Sequence, residues 1–264
     1  MAAKSQKGRP EMTKQILDIY SGNRIDVERE VATGTDAVIV KAGQGQNWNY
    51  LRASQPTVNE FQALGIPVQY YWLVDARYSP ESQKAAIKAA FPVDKWSGKL
   101  RLWLDCEKPV LSMPDWLYHK QKYAYAGSIE SVAQMLLASY GPQSVGIYTS
   151  LGAYRLIFGG ASEARQKWFA QFPLWTAQYK VGKPDVYGYW SKWLMWQYQE
   201  SPDYSVWNGT DEEFDAFFGG APAVQPVPID VTVDIRFPSR IEDHFFPAVR
   251  GVTITTNAGD VVRF

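Results

Sequence analysis

"LRLWLDCEKP", residues 100–109, begins as an apolar run and ends in two carboxylates separated by one cysteine. Side chains on a strand alternate between its faces. Trp103, Asp105 and Glu107 therefore share one face, and Leu102, Leu104 and Cys106 share the other. Acids at the end of a hydrophobic strand are costly to bury. One reading makes them a surface pair, salt-bridged to Lys108 or Arg101. The other puts them at the C-terminal end of an inward-facing barrel strand, where β/α-barrel enzymes carry their chemistry, with the leucine face against helices.

The flanking sequence favours the barrel. Strand-like runs recur at 15–20 ("QILDIY"), 36–43 ("DAVIVKAG"), 66–75 ("IPVQYYWLVD"), 99–105, 144–150, 173–179 and 193–199. Helix-like stretches lie between the earlier ones. They read as 58–65 closed by Gly65, 79–91 with Ser79 as N-cap and Pro80 behind it, and 128–141 capped by Ser128 and closed by Gly141. This βαβα rhythm predicts a parallel sheet, and its length favours closure into a barrel. Helix signals weaken after residue 170, so loops or short turns are expected between the last strands. Asp18 ends the first run as Asp105 and Glu107 end the fourth. Lys41, Tyr71, Tyr148, Gln178 and Gln197 stand at the other strand ends.

Composition sets the outer bounds. The chain has 264 residues, 46% of them hydrophobic, enough for one large α/β domain. Lys+Arg and Asp+Glu both total 27, so charge gives no support for nucleic acid or an anionic membrane as partner. No apolar run reaches the roughly 18 residues of a membrane span. The single cysteine, Cys106, excludes an internal disulfide, and with two separated histidines it argues against a zinc site. No metal or other cofactor is expected. Aromatics make up 15%, with 11 Trp and 16 Tyr, which fits either a core of large side chains or a groove for sugar rings.

Four segments follow: a polar extension (1–13), the barrel (14–218), a Pro/Gly linker "GGAPAVQPVP" (219–228) and a small β appendage (229–264). The appendage alternates with period two in "IDVTVDIRF" and reads as a hairpin around Asn257–Gly259. It is too small for a core of its own. Docking on the barrel or self-association with a partner chain is expected. "MAAKSQKGRPEM" lacks the apolar region of a signal peptide. Localisation is thereby left between release from the cell without a leader and secretion followed by trimming.

Residues 14–218 resemble the Chalaropsis-type lysozymes, glycoside hydrolase family 25. "ILDIYSGNRID" resembles the family's opening segment, "VIVKAGQG" its second strand, and "GIPVQYYWLVD" its third. "LWLDCE" matches the Asp-x-Glu hallmark. "GIYTS", "PLWTAQY", "LMWQY" and "DYSVWNGT" follow in family order. Trp72 and Ser205 stand where many members carry His and Asn.

The resemblance implies an irregular TIM-like β/α barrel. It also implies hydrolysis of the β-1,4 bond between N-acetylmuramic acid and N-acetylglucosamine in peptidoglycan. Its acid cluster falls on Asp18, Asp105, Glu107 and Asp203. Glu107 is expected as general acid, its pKa raised by Trp103 and by the charge of Asp105. Asp105 is expected as nucleophile or as the group that orients the substrate's N-acetyl. Tyr71, Trp72, Tyr148, Trp175, Gln178, Gln197 and Lys41 are the expected substrate contacts. A chitinase or endo-N-acetylglucosaminidase with Asp-x-Asp-x-Glu is the alternative enzyme, but Trp103 occupies its first Asp position. A non-catalytic glycan-binding or phage structural component is the alternative outside catalysis.

Overall fold

The computed structural model describes residues 14–107, 115–179, 181–219, 232–234, 253–255 and 261–263. The chain divides into two compact units, Met1–Val224 and Gln225–Phe264, and the division falls within the Pro/Gly stretch.

The first unit is a closed barrel of eight strands in sequence order. They are β1 (Gln15–Ile19), β2 (Thr35–Gln44), β3 (Val68–Leu73), β4 (Leu102–Asp105), β5 (Val145–Ser150), β6 (Leu174–Ala177), β7 (Met195–Gln199) and β8 (Asp203–Trp207). The helices are α1 (Val27–Ala32), α2 (Asn49–Ala63), α3 (Pro80–Ala90), α4 (Val93–Trp96), α5 (Asp115–Tyr140), α6 (Leu151–Ile157), α7 (Glu163–Phe169) and α8 (Asp211–Phe218). β1 to β7 run parallel, but β8 is antiparallel to both β7 and β1. The all-parallel expectation fails there for a geometric reason. Only residues 200–202 separate β7 from β8, far fewer than a parallel crossover needs. As expected, no helix joins β6 to β7 among the described residues.

Alternation along each strand divides the core. Leu17, Val38, Tyr70, Leu104, Cys106, Ile147 and Val206 face the helices. Ile16, Ile39, Trp103, Tyr148, Trp175, Met195 and Trp207 face the barrel interior. α8 closes the end of the barrel where the parallel strands begin. Phe214 and Phe218 pack against Trp207, and the Phe217 carbonyl accepts from Gln69 Nε2 at 2.9 Å. Thr210 and Glu213 form a capping box that starts this helix.

Two helices begin earlier than the sequence reading placed them. α2 starts at Asn49, ahead of the expected 58, and runs through Pro56. Burial of Leu51, Ser54, Val58 and Phe61 along one stripe outweighs the lost hydrogen bond. α5 starts at Asp115, so Ser128 is an interior buried residue and not a cap. Ser79 does cap α3, accepting from Ser82 N at 3.2 Å, and Gly141 closes α5 at φ +99°. Among the described residues no helix is long and apolar enough to cross a membrane.

The second unit contains a three-stranded antiparallel sheet: β9 (Thr232–Asp234), β10 (Thr253–Thr255) and β11 (Val261–Arg263), with β10 central. Thr255 pairs with Val261, which flanks the expected hairpin turn. The turn itself, the extension 1–13 and the linker beyond Gly219 lie outside the described residues.

Candidate active site

Strand register brings the acids to one end of the barrel. Asp105 pairs laterally with Leu73 on β3 and Tyr148 on β5, and Tyr148 pairs with Trp175 on β6. Because β8 runs in reverse, its first residue, Asp203, lies opposite Asp18 of β1. Glu107 follows β4 by two residues on the same face as Asp105. Its segment is pinned through the backbone. Cys106 N donates to Tyr148 O at 2.9 Å, Thr149 Oγ1 donates to Cys106 O at 2.8 Å, and the Tyr125 hydroxyl lies 2.7 Å from Glu107 O.

These residues wall a cavity of about 380 Å³. Asp18, Asp105, Glu107 and Asp203 line it with Tyr71, Tyr148, Trp175, Tyr179, Gln197, Glu200 and Ser201. Trp175 forms the aromatic floor, with ring centroids 4.5 Å from Tyr148, 5.7 Å from Trp103 and 6.5 Å from Tyr71. Its indole N–H is held by Ser205 Oγ at 2.9 Å. Trp103 therefore lies beneath Trp175, one layer down, and excludes water from below instead of lining the cavity.

Gln197 has a fixed amide. Its Oε1 accepts from the hydroxyls of Tyr148 and Tyr179, both at 2.7 Å, so its Nε2 points at Asp18 Oδ2, 3.3 Å away. One oxygen each of Asp18 and Asp105 is buried with no hydrogen-bond partner among the described residues. Such an atom costs about 1–3 kcal/mol unless a proton or ligand meets it.

Burial pushes all four carboxyls above their ordinary values. Asp18 is raised further by the charges of Asp203 and Glu107. Asp105 is raised by burial and then by Glu107. Glu107 is raised by burial, with Asp203 adding to it and Lys41 opposing. Asp203 is raised by burial, against a backbone hydrogen bond from Ser201. Lys41 faces Asp105, Glu107 and Asp18, and its Nζ donates to Gln44 Oε1 at 3.0 Å. It is the cation that lets this cluster hold some negative charge out of water.

The remaining expected contacts divide. Tyr71, Tyr148, Trp175 and Gln197 line the cavity. Trp72 lies on the helix-facing side of β3, fully buried, its ring close against Gly43. The reason is parity, since Trp72 alternates with Tyr71. Gln178 spends its amide on Asp185, accepting from its N–H at 3.2 Å and donating to its carbonyl at 2.9 Å, which staples the loop after β6. Arg101 donates to Gln143 Oε1 at 2.6 Å, outside the acid cluster; Lys108 lies outside the described residues. Tyr179 and Glu200 are the additions. Tyr179 was legible by extending the alternation Trp175, Ala177, Tyr179, whereas Glu200 depends on the β7–β8 turn.

The model of the glycosyl hydrolases family 25 matches residues 17–206, a span that reaches into all eight strands of the barrel and includes all four acids. The chain belongs to glycosyl hydrolases family 25. It is a glycoside hydrolase, and its barrel is found in solved members. A family GH25 lysozyme from Aspergillus fumigatus is 18% identical over 78% of this chain and 98% of its own, with a TM-score of 0.63. The muramidase from Trichobolus zukalii is 20% identical over 79% and 100%, at 0.63. The lysozyme from Streptomyces coelicolor is 22% identical over 80% and 100%, at 0.62. At these identities the likeness is one of fold. A search of curated proteins finds no similar sequence.

Proposed function

We propose that this hydrolase is a muramidase, cleaving the β-1,4 bond from N-acetylmuramic acid to N-acetylglucosamine in peptidoglycan. The observation that carries the reading is the convergence of Asp18, Asp105, Glu107 and Asp203 around one aromatic-walled cavity. Structural relatives named as lysozymes and muramidases support it, as does an autolysin from Streptococcus pneumoniae solved with a synthetic peptidoglycan ligand. That autolysin is 20% identical over 74% of this chain and 46% of its own, with a TM-score of 0.54.

Glycoside cleavage needs a protonated acid at the leaving oxygen and negative charge at the developing oxocarbenium centre. Glu107 is the acid in this reading. It stands beyond the strand end, partly exposed, and burial keeps its proton on to higher pH than an ordinary glutamate. Asp105 lies deeper, at 4% exposure, beside the charge of Lys41. It meets the oxocarbenium centre as nucleophile or by orienting the substrate's N-acetyl group. Gln197 and its two tyrosines hold Asp18, and Asp203 stands across from it. Digestion of purified cell walls tests the assignment. New reducing ends on N-acetylmuramic acid are expected, and new ends confined to N-acetylglucosamine overturn it.

A further inference from the structure

β4 ends at Asp105, two residues short of Glu107. Beyond that point side-chain hydroxyls hold the backbone carbonyls. Thr149 Oγ1 on β5 donates to Cys106 O at 2.8 Å, and the Tyr125 hydroxyl on α5 donates to Glu107 O at 2.7 Å. The same Tyr125 hydroxyl reaches Val74 O, just past the end of β3. Val74 N donates in turn to Asp105 O at 3.1 Å. One phenol thus ties the carbonyl of Glu107 to the residue that grips the carbonyl of Asp105. We propose that Tyr125 is a positioning residue for the hydrolysis, setting through the backbone of Glu107 where that carboxyl stands relative to Asp105. The proposal rests on the reading of Glu107 as general acid.

Tyr125 is itself held in place. It is 1% exposed and lies on the buried stripe of α5 with Ile129, Val132, Leu136 and Tyr140. Its second carbonyl partner is held as well. Val74 is followed by Asp75, whose N–H donates to Gln83 Oε1 at 2.9 Å and whose carbonyl accepts from Gln83 Nε2 at 3.1 Å. The fully buried Asp75 carboxylate accepts from Arg77 Nε at 2.9 and 3.1 Å. The loop after β3 is therefore a fixed reference. Tyr125 has one proton to share between this loop and the segment that carries Glu107, and it draws the two together.

Glutamate is long, so its backbone decides its reach. Among the described residues the Glu107 carboxyl feels burial and the charges of Lys41 and Asp203, but no hydrogen bond. A general acid must come within about 2.6–3.2 Å of the oxygen it protonates. A displacement of about 1 Å can cost on the order of 10²-fold in rate.

Aryl glycosides distinguish a misplaced acid from a damaged protein. A strongly acidic phenol leaves without a proton, whereas a weakly acidic one needs it. kcat/KM is measured for soluble glycan fragments ending in a series of such phenols, with N-acetylmuramic acid or N-acetylglucosamine at the cleaved position. Wild type should depend weakly on the leaving group, and Glu107→Gln steeply. Tyr125→Phe should stay near wild type on the most acidic phenol and lose roughly tenfold to a hundredfold on the least acidic. Tyr140→Phe is the matched control. Tyr140 lies on the same helix, is 1% exposed, and donates from its hydroxyl to Phe91 O at 2.6 Å, before β4 begins. Its variant should show no dependence on the leaving group beyond that of wild type. Circular dichroism checks that each variant is folded. Should Tyr125→Phe fail that check, 4-aminophenylalanine at 125 keeps a weaker N–H donor and takes its place, with a smaller dependence expected in the same direction. Equal loss along the series, no loss at all, or the same dependence in Tyr140→Phe overturns the role of Tyr125. A Glu107→Gln protein without leaving-group dependence removes the acid assignment and the proposal with it. Cleavage confined to the N-acetylglucosamine series overturns the muramidase reading and leaves the positioning role standing.

Discussion

Glu107 and Asp105 are where the strand's cost and its use meet. Glu107→Gln keeps the shape of the side chain and removes the transferable proton. A loss of about 10²–10⁴-fold in cell-wall hydrolysis is expected, with glycan binding retained. Near-normal hydrolysis by the folded variant would remove Glu107 from the mechanism. Stability should move the other way. A carboxyl whose folded-state pKa is raised favours folding while protonated; that contribution is complete below the unfolded value and is lost as pH rises through the folded value. Glu107 is raised from 4.5, so the wild-type protein loses this contribution above that pH and the glutamine variant does not. The variant's Tm should exceed the wild type's at neutral pH, and the gap should close as pH falls toward 4.5. A constant gap would place its cause outside ionisation. These residues were legible because alternation with period two is unambiguous in "LWLDCE". Trp72 was not, because its assignment came from resemblance while its parity with Tyr70 points it at the helices.

Among the elements, β8 and α8 decide how the barrel ends. Neither was read as an element in the sequence. β8 is short and follows a three-residue connection, and that brevity itself implies reversal of direction, a steric inference that composition does not supply. The signature of α8, Thr210 three residues before Glu213, is plain in hindsight. α8 covers the barrel end opposite the acids with Phe214 and Phe218, the latter fully buried. Phe218→Ala should therefore cost about 3–5 kcal/mol in denaturant unfolding while leaving KM for glycan unchanged in the folded fraction. A cost below about 1 kcal/mol would mean that α8 does not close the core.

For the whole molecule, the barrel has its own core and the β9–β10–β11 sheet has strands of three residues each. A chain ended at Gly219 should fold and hydrolyse glycan. Its Tm and its mass by light scattering, set against the full chain, measure what residues 220–264 add. Failure of the shortened chain to fold would show that they belong to the barrel's folding unit. Fold class was legible because seven strand-like runs, each with a polar group at its end, repeat one pattern. Helix starts were less so: α2 runs through Pro56 with one stripe buried, and α5 begins well before Ser128.

The pairing of β1 with β8 reaches beyond architecture to synthesis. Gln197 and Asp18 touch across 179 positions of chain, and Asp18 meets Asp203 only when the last strand docks on the first. A nascent polypeptide emerging from the ribosome therefore holds an open sheet with a bare edge at β1 until residue 207 is free. Until then its acid cluster lacks one member and the support of another. On the proposed assignment, closure of the barrel and assembly of the four acids are one event, so no nascent chain with an open barrel carries the complete site. A ribosome that stalls before Asp203 is expected to leave a fragment with an unpaired β1 edge and without glycan hydrolysis.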